Sequence, residues 1–462
     1  MATVKEMSDV RPEKRQVAWQ ALEFYGFIHF GMNTMTDREW GFGNEPLSLF
    51  NPKKLDCRQW VKTLKKAGMK GIILTCKHHD GFCLWPSKTT EYTVANTPWK
   101  DGRGDIVKEV SDACQKEGVT FGVYLSPWDR NAASYGTGQC YDELYVAQLT
   151  ELLTNYGDVF EVWFDGANGE EQGKQQNYQW EQYFSCVRRL QPSAVMAICG
   201  PDVRWIGNEA GKTRPNEWSV VPKSLTYAEQ TIEKSQKIDN GLFGQAASSD
   251  IDLGSREILE NTRESLVWYP AEVNTSIRPG WFYHEKEDDH IKSSEELFSI
   301  YKQSVGGNAT FLLNVPPMKN GLISSIDQKV LVELGQKINK LSDTKLLSSA
   351  SICTDEFIQE EETFRYVKNQ TGLNKTAKIT ISWSTEEEIS ELILQEDITH
   401  GQQIEAYEIL VNQKEEEYCI YKGQAIGAKK ILTFPKMMTN KLIIRITKAR
   451  GDYTIKSINV IS

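Results

Sequence analysis

Residues 159–166 read VFEVWFDG, a nearly continuous apolar run closed by a carboxylate and a glycine. Such a run fits a strand covered on both faces, as in a parallel sheet. Six other segments share its character: FYGFIHFG (24–31), GIILTCK (71–77), TFGVYLS (120–126), SAVMAICG (193–200), LVWYPAEV (266–273) and TFLLNVPP (310–317). Helical patterns lie between them. LDCRQWVKTLKKAG stops at Gly68, DIVKEVSDACQKEG starts at a capping Asp105 and stops at Gly118, and YDELYVAQLTELLTNYG ends at Gly157. SIDQKVLVELGQKINKL (325–341) closes the series. Strand–helix–strand units repeating at about 40 residues predict a closed barrel or an open doubly wound sheet. The first strand is followed by GMNTMTDREW rather than a Gly-rich dinucleotide turn, which favours the barrel. Seven strands are legible and 200–265 is irregular, so the expectation is an irregular (β/α)8 TIM-like barrel over residues 1–341.

Beyond residue 341 the pattern changes. Twelve of the thirteen tryptophans precede this point and only Trp383 follows it. KTAKITISWS, ELILQED, YEILVN, KKILTFP, NKLIIRI and TIKSINVI alternate with period two, separated by Asn-, Gly- and Lys-rich turns. The alternation predicts an antiparallel β-sandwich over residues 342–462.

A formal net charge of −10 disfavours nucleic acid and anionic membrane surfaces as partners but not a neutral sugar. No apolar run reaches the length of a membrane span, so no membrane insertion is expected. MATVKEMSDVRPEKRQ shows no apolar signal-peptide core, which predicts a cytoplasmic protein as written, or a periplasmic or secreted one if a native leader is missing. Nine scattered cysteines without CxxC pairs read as buried free thiols rather than a disulfide frame.

In a barrel the chemistry gathers at the C-terminal strand ends. Those ends are rich in polar groups here: His29 leading to Glu39–Trp40, then Lys77-His78-His79-Asp80, Tyr124 leading to Trp128–Asp129, Asp165, and Arg204–Glu209. A lone Asp before Gly is ordinary turn chemistry. Its coincidence with the other polar ends marks Asp165 as a rigidly held carboxylate suited to attack at a sugar's anomeric carbon. His78 and His79 invite a metal reading, but no HxH, HExxH or carboxylate cluster accompanies them. Neutral imidazoles suit vicinal sugar hydroxyls, since each ring donates and accepts. Trp40 and Trp281, in loop-like segments, offer faces for sugar C–H surfaces. Glycoside hydrolysis needs a second carboxyl. Glu209, Glu217 and Glu272 all qualify, and spacing alone does not choose among them.

GFIHFGMNT, EWGFGNE, LTCKHHDGFCLW, FGVYLSPWD and VWFDGA, in this order, resemble glycoside hydrolase family 29, the α-L-fucosidases. TFLLNVPPMKNG resembles that family's closing barrel strand, so the likeness covers roughly residues 20–340. The resemblance implies a retaining mechanism with Asp165 as nucleophile. It implies a fucose pocket of His29, Glu39, Trp40, His78, His79 and Tyr124, with Trp281 from PGWFY as a pocket aromatic. GPDVRWIGNEAG followed by EWSVVP looks like the subfamily acting on branched α-1,3/1,4-fucosides of the Lewis a and Lewis x type, which implies Glu209 as general acid/base. It implies a fucosylated oligosaccharide or glycoconjugate as partner, and no metal or organic cofactor. Transfucosidase or broad-specificity fucosidase activity is the nearest alternative. A metal-dependent barrel hydrolase using His78, His79 and Asp165, or a non-catalytic carbohydrate-binding protein, stands outside that class.

Overall fold

The computed structural model describes residues 1–234, 252–366, 376–413 and 416–462. Eight parallel strands close into a barrel: β1 Phe24–Ile28, β2 Gly71–Lys77, β3 Thr120–Leu125, β4 Glu161–Phe164, β5 Val195–Ile198, β6 Val203–Trp205, β7 Ala271–Ser276 and β8 Thr310–Asn314. Neighbours in the barrel are neighbours in sequence, and β8 closes on β1 with Phe24 opposite Phe311 and Phe27 opposite Asn314. The strands are buried on both faces, which is why their sequences show no polar alternation. Along β1, Tyr25 and Phe27 point into the barrel, where they pack with Trp19, Tyr124, Trp163 and Leu312. Phe24 and Ile28 point outward to the helices. Gly26 lies on that outer face, and a Cβ there would come within 2.1 Å of Leu64 Cδ2. A larger residue would push the helix Cys57–Lys66 off the barrel.

The helix boundaries follow capping chemistry. Asp56 Oδ1 accepts the Gln59 N–H at 3.1 Å, and Asp105 Oδ1 accepts the Lys108 N–H at 2.9 Å. Gly118 ends the helix Ile106–Glu117 in the left-handed region, with φ 67°.

Two strand expectations need correction. LVWYPAEV is not one strand. Leu266–Trp268 pairs antiparallel with Val220–Pro222 in a separate ribbon, and the barrel strand is Ala271–Ser276. Pro270, which has no N–H to donate, lies between the two. The strand missing from the sequence reading is β6, which pairs with β5 after only the residues 199–202, with no helix between. Three residues are too few to show a period.

Eight antiparallel strands form the C-terminal sandwich sheet. Ala377–Glu396 and Lys430–Ala449 each join two expected segments: KTAKITISWS with ELILQED, and KKILTFP with NKLIIRI. They pair along their length, with register shifts between Ser382 and Glu387 and between Ile389 and Glu391. These shifts bend the sheet over its own core of Ile379, Ile381, Leu392, Leu394 and Ile444. Ser351–Asp355, Phe357–Glu360 and Thr363–Tyr366 are further strands that the sequence pattern did not reveal.

No cysteine is in a disulfide; six are buried, whereas Cys140, Cys353 and Cys419 are exposed, against the expectation of burial. Among the described residues no helix is long and apolar enough to cross a membrane.

Candidate active site

The C-terminal strand ends converge on one pocket with about 640 Å³ of empty space. His29, Glu39, Trp40, His78, His79, Tyr124, Asp165, Glu209 and Trp281 all line it. Phe27, Trp163, Ala167, Ile198, Trp205 and Asn274 complete the wall and floor. A concave lining that combines aromatic faces with convergent polar groups is suited to a small polar ligand. Trp128 is one layer back, its ring 5.0 Å from that of His79 and 5.3 Å from that of Trp40.

Each of the three histidines has its Nδ1 tied to a fixed partner, and this sets its tautomer. Ser126 Oγ donates to the Trp128 carbonyl at 2.7 Å, so at 2.7 Å from His79 Nδ1 it accepts that ring's N–H. Asn314 spends its amide N–H groups on Ser276 Oγ and the Trp281 carbonyl. Its Oδ1, 2.8 Å from His29 Nδ1, therefore accepts. Asn33 Nδ2 donates to the Glu39 carbonyl at 2.9 Å and faces His78 Nδ1 at 3.3 Å, so His78 accepts there. Burial holds His29 and His79 neutral, each pushed down to about 3, and lowers His78 well below its ordinary value. The neutral rings thus leave Nε2 of His29 and His79 as acceptors and Nε2–H of His78 as a donor. That set matches a polyhydroxylated ring.

Asp165 sits on rigid supports. Tyr124 Oη donates to its Oδ2 at 2.9 Å and the Ala167 N–H to its Oδ1 at 2.7 Å. Burial raises its carboxyl above the ordinary range, against the pull of these donors. Tyr124 is itself held by stacking on Trp163, with ring centroids 5.4 Å apart. Glu209 Oε2 accepts from Trp281 Nε1 at 3.3 Å. Burial first, and then the Asp165 charge, push Glu209 up to about 7, against the indole N–H. Two carboxyls at one pocket with separated environments are suited to divide nucleophile and acid roles.

Glu39 is also a structural hub. Its carboxylate accepts the backbone N–H of Trp281 at 3.0 Å and of Phe282 at 3.1 Å, and it meets His284 Nε2 at 2.7 Å. The other nitrogen of His284 meets Asp37 at 2.5 Å. Burial works against a charge on His284, but the carboxylates on both nitrogens prevail and raise it to about 9. The resulting imidazolium fixes Glu39, and Glu39 fixes the Trp281 backbone.

The other two acids of the sequence reading lie elsewhere. Glu217 is buried between Arg204 and Arg214, outside the pocket. Glu272 is on β7 inside the barrel, accepting from Tyr25 Oη at 2.6 Å and Trp163 Nε1 at 2.8 Å. Of the three, Glu209 alone lines the pocket.

Sequence reasoning missed Asn314, Asn274, His284, Asn33 and Ser126. Asn314 ends an apolar strand just as Asp165 does, so the rule that found one could have found the other. Asn274 was hidden by the misplaced seventh strand. His284 follows PGWFY closely and is one of only six histidines. Nothing local marks Asn33 or Ser126. Among the described residues no three His, Cys, Asp or Glu side chains converge as a ligand set for a metal ion.

A sequence profile described as Alpha-L-fucosidase matches residues 32–342. Alpha-L-fucosidase 1 of Arabidopsis thaliana is 37% identical, with 96% of this chain and 85% of that protein aligned. A Bacteroides ovatus structure, provisionally named an α-L-fucosidase, is 44% identical with a TM-score of 0.84, over 100% of this chain and 76% of that one. A Ruminococcus gnavus GH29 fucosidase solved in complex with fucose is 29% identical with a TM-score of 0.84, over 98% and 95% of the two chains. Likeness of this extent, spanning both barrel and sandwich, makes the chain a member of the α-L-fucosidases of glycoside hydrolase family 29.

Proposed function

We propose that this glycoside hydrolase is a retaining exo-α-L-fucosidase that releases terminal α-1,3/1,4-linked fucose from branched glycans of the Lewis a and Lewis x type. Residues 1–341 form its catalytic domain and 342–462 its sandwich domain. The observation that carries the mechanism is the shared pocket of Asp165 and Glu209, with Glu209 raised to about 7 by burial and by the Asp165 charge. Asp165 attacks the anomeric carbon while Glu209 protonates the departing glycosidic oxygen. The fucosyl ester so formed removes the Asp165 charge, which lowers the proton affinity of Glu209. Glu209 then takes a proton from the incoming water, and fucose leaves with its anomeric configuration kept. His29 and His79 accept from sugar hydroxyls and His78 donates to one. Glu39, Trp40, Tyr124 and Trp281 complete the fucose contacts. The linkage preference is supported by the GPDVRWIGNEAG and EWSVVP segments.

The test is released-sugar analysis on α-1,2-, α-1,3- and α-1,4-linked fucosides, with and without a galactose branch, following the anomer by proton NMR. The expected first product is α-fucose, from branched α-1,3 and α-1,4 substrates only. Initial β-fucose would refute retention. Equal action on α-1,2-linked or simple aryl fucosides would refute the branched preference.

A further inference from the structure

The loop that carries Glu209 lies between the barrel and the C-terminal sandwich, and its polar bonds reach both. Asn208 closes the turn: its Oδ1 accepts the N–H groups of Ala210 and Lys212 at 3.0 and 3.1 Å. Its Nδ2 donates to the Lys212 carbonyl at 3.0 Å. Arg214 clamps the base of the loop, with Nη1 donating to the Ile206 carbonyl at 3.2 Å and lying 3.4 Å from Glu217 Oε2. The other Glu217 oxygen accepts from Arg204 on β6. One buried carboxylate thus ties the foot of the Glu209 loop to a barrel strand.

The segment that places Glu217 rests on the sandwich. The Glu217 carbonyl accepts from Gln402 Nε2 at 3.3 Å and from Asn308 Nδ2 at 2.9 Å. The Ser219 N–H donates to Gln402 Oε1 at 2.8 Å. The Pro215 carbonyl accepts from buried Lys430 at 3.4 Å, and Asn216 donates to Gln424 at 3.1 Å. Asn308, just before β8, also accepts the Ala428 N–H at 2.8 Å. Gln402, Gln424, Ala428 and Lys430 all belong to the C-terminal part of the chain. Among the described residues, the Glu209 carboxyl has one side-chain hydrogen bond, the 3.3 Å bond to Trp281. Its position is therefore set mainly by the backbone of its loop.

We propose that Glu217 is a positioning residue for Glu209, and that the sandwich serves catalysis as the fixed support from which Glu217 and Arg214 hold the acid/base loop. The proposal rests on Glu209 being the acid/base. Proton donation to a leaving group requires a carboxyl within hydrogen-bond reach, and a displacement of about 1 Å costs on the order of a hundred-fold. Loosening the support therefore acts on protonation of the leaving group and leaves attack by Asp165 unchanged.

The test compares Glu217→Gln, Gln402→Met and Glu209→Ala with wild type on two substrates. One is a fucosylated oligosaccharide whose poor leaving group needs the acid; the other is a dinitrophenyl fucoside that does not. The expected result for Glu217→Gln and Gln402→Met is a loss of about ten- to a hundred-fold in kcat/KM on the oligosaccharide and at most about threefold on the dinitrophenyl fucoside. Equal losses on both substrates, or no loss on either, would overturn the proposal. The dinitrophenyl rate also reports a folded site, and Gln402→Met decides the matter if Glu217→Gln does not fold. Should Glu209→Ala itself lack the leaving-group dependence, it is the acid/base assignment that fails.

Discussion

The barrel holds two pairs of carboxyls, a half-buried one at its mouth and a fully buried one inside, and they behave as opposites. Inside the barrel Glu161 and Glu272 are both fully buried. Glu161 accepts from Trp19 Nε1 at 2.8 Å, and Glu272 accepts from Tyr25 Oη and Trp163 Nε1. Among the described residues no cation is paired with either in an ion pair. Burial raises both, Glu161 well above its ordinary value with the neighbouring carboxylate adding to it; with one donor against the two on Glu272, Glu161 is the member expected to hold a shared proton. At the mouth, Asp165 and Glu209 are half-buried; restricted solvation raises both as well, but they face an open pocket. The comparison teaches that a perturbed carboxyl does not by itself mark a catalytic group. What separates the pairs is what they face: donors that never leave, or an open pocket.

The sharpest way to break the comparison is at the proposed nucleophile. Asp165→Ala is expected to lower kcat for every fucoside by about four orders of magnitude or more. Interchanging roles at the mouth comes next. Glu209→Ala is expected to lose about 10²–10³-fold on substrates with poor leaving groups and far less on good ones, with azide restoring rate. If Glu272→Ala rather than Glu209→Ala gave azide rescue, the assignment of the two pairs would be reversed.

Stability provides a finer contrast. Glu209 ionises at about 7 in the folded protein, against an ordinary value of 4.5. Below 4.5 the carboxyl is neutral in both folded and unfolded chains, and its burial carries no charge penalty. As pH rises through 7 the folded state acquires a buried charge that the unfolded chain solvates. Glu209→Gln is therefore expected to match wild type in acid and to exceed its stability by up to about 3 kcal/mol at pH 8, measured by urea unfolding. For the interior pair, Glu161→Gln is expected to be nearly neutral, because an amide N–H can replace the shared proton. Glu272→Gln sets an amide against the donors of Tyr25 and Trp163 and is expected to cost about 1–3 kcal/mol. Equal costs for the two would mean that the proton does not reside on Glu161.

The smallest expected effect is a shift in pH profile. The limb of kcat/KM set by the Glu209 proton is expected near pH 7, with activity falling as pH rises. In Asp165→Asn the carboxylate that raises Glu209 is gone, so its ionisation, followed by NMR, is expected to move downward.

Much of the site was legible because strand ends keep local signatures. His29, His78, His79, Tyr124 and Asp165 each close or interrupt an apolar run, and the pocket receives all of them. The same rule failed where no run exists. Val203–Trp205 is too short to show a pattern, and AEV, the first half of Ala271–Ser276, was joined to a strand that belongs to another sheet. Glu209, Glu217 and Glu272 were equivalent as letters. Only their surroundings separate them: a pocket, an arginine pair and a barrel interior.

By itself the sequence determined the alternation of strand and helix, the helix caps, the change to two-residue periodicity after the barrel and the polar strand ends, because each is written in neighbouring residues. Tertiary structure alone decided which acid meets Asp165, which nitrogen of each histidine faces the pocket and how the sandwich reaches the Glu209 loop. Those depend on hydrogen bonds between residues remote along the chain, such as Gln402 to Glu217 and Asn314 to His29, which exist only once the barrel has closed.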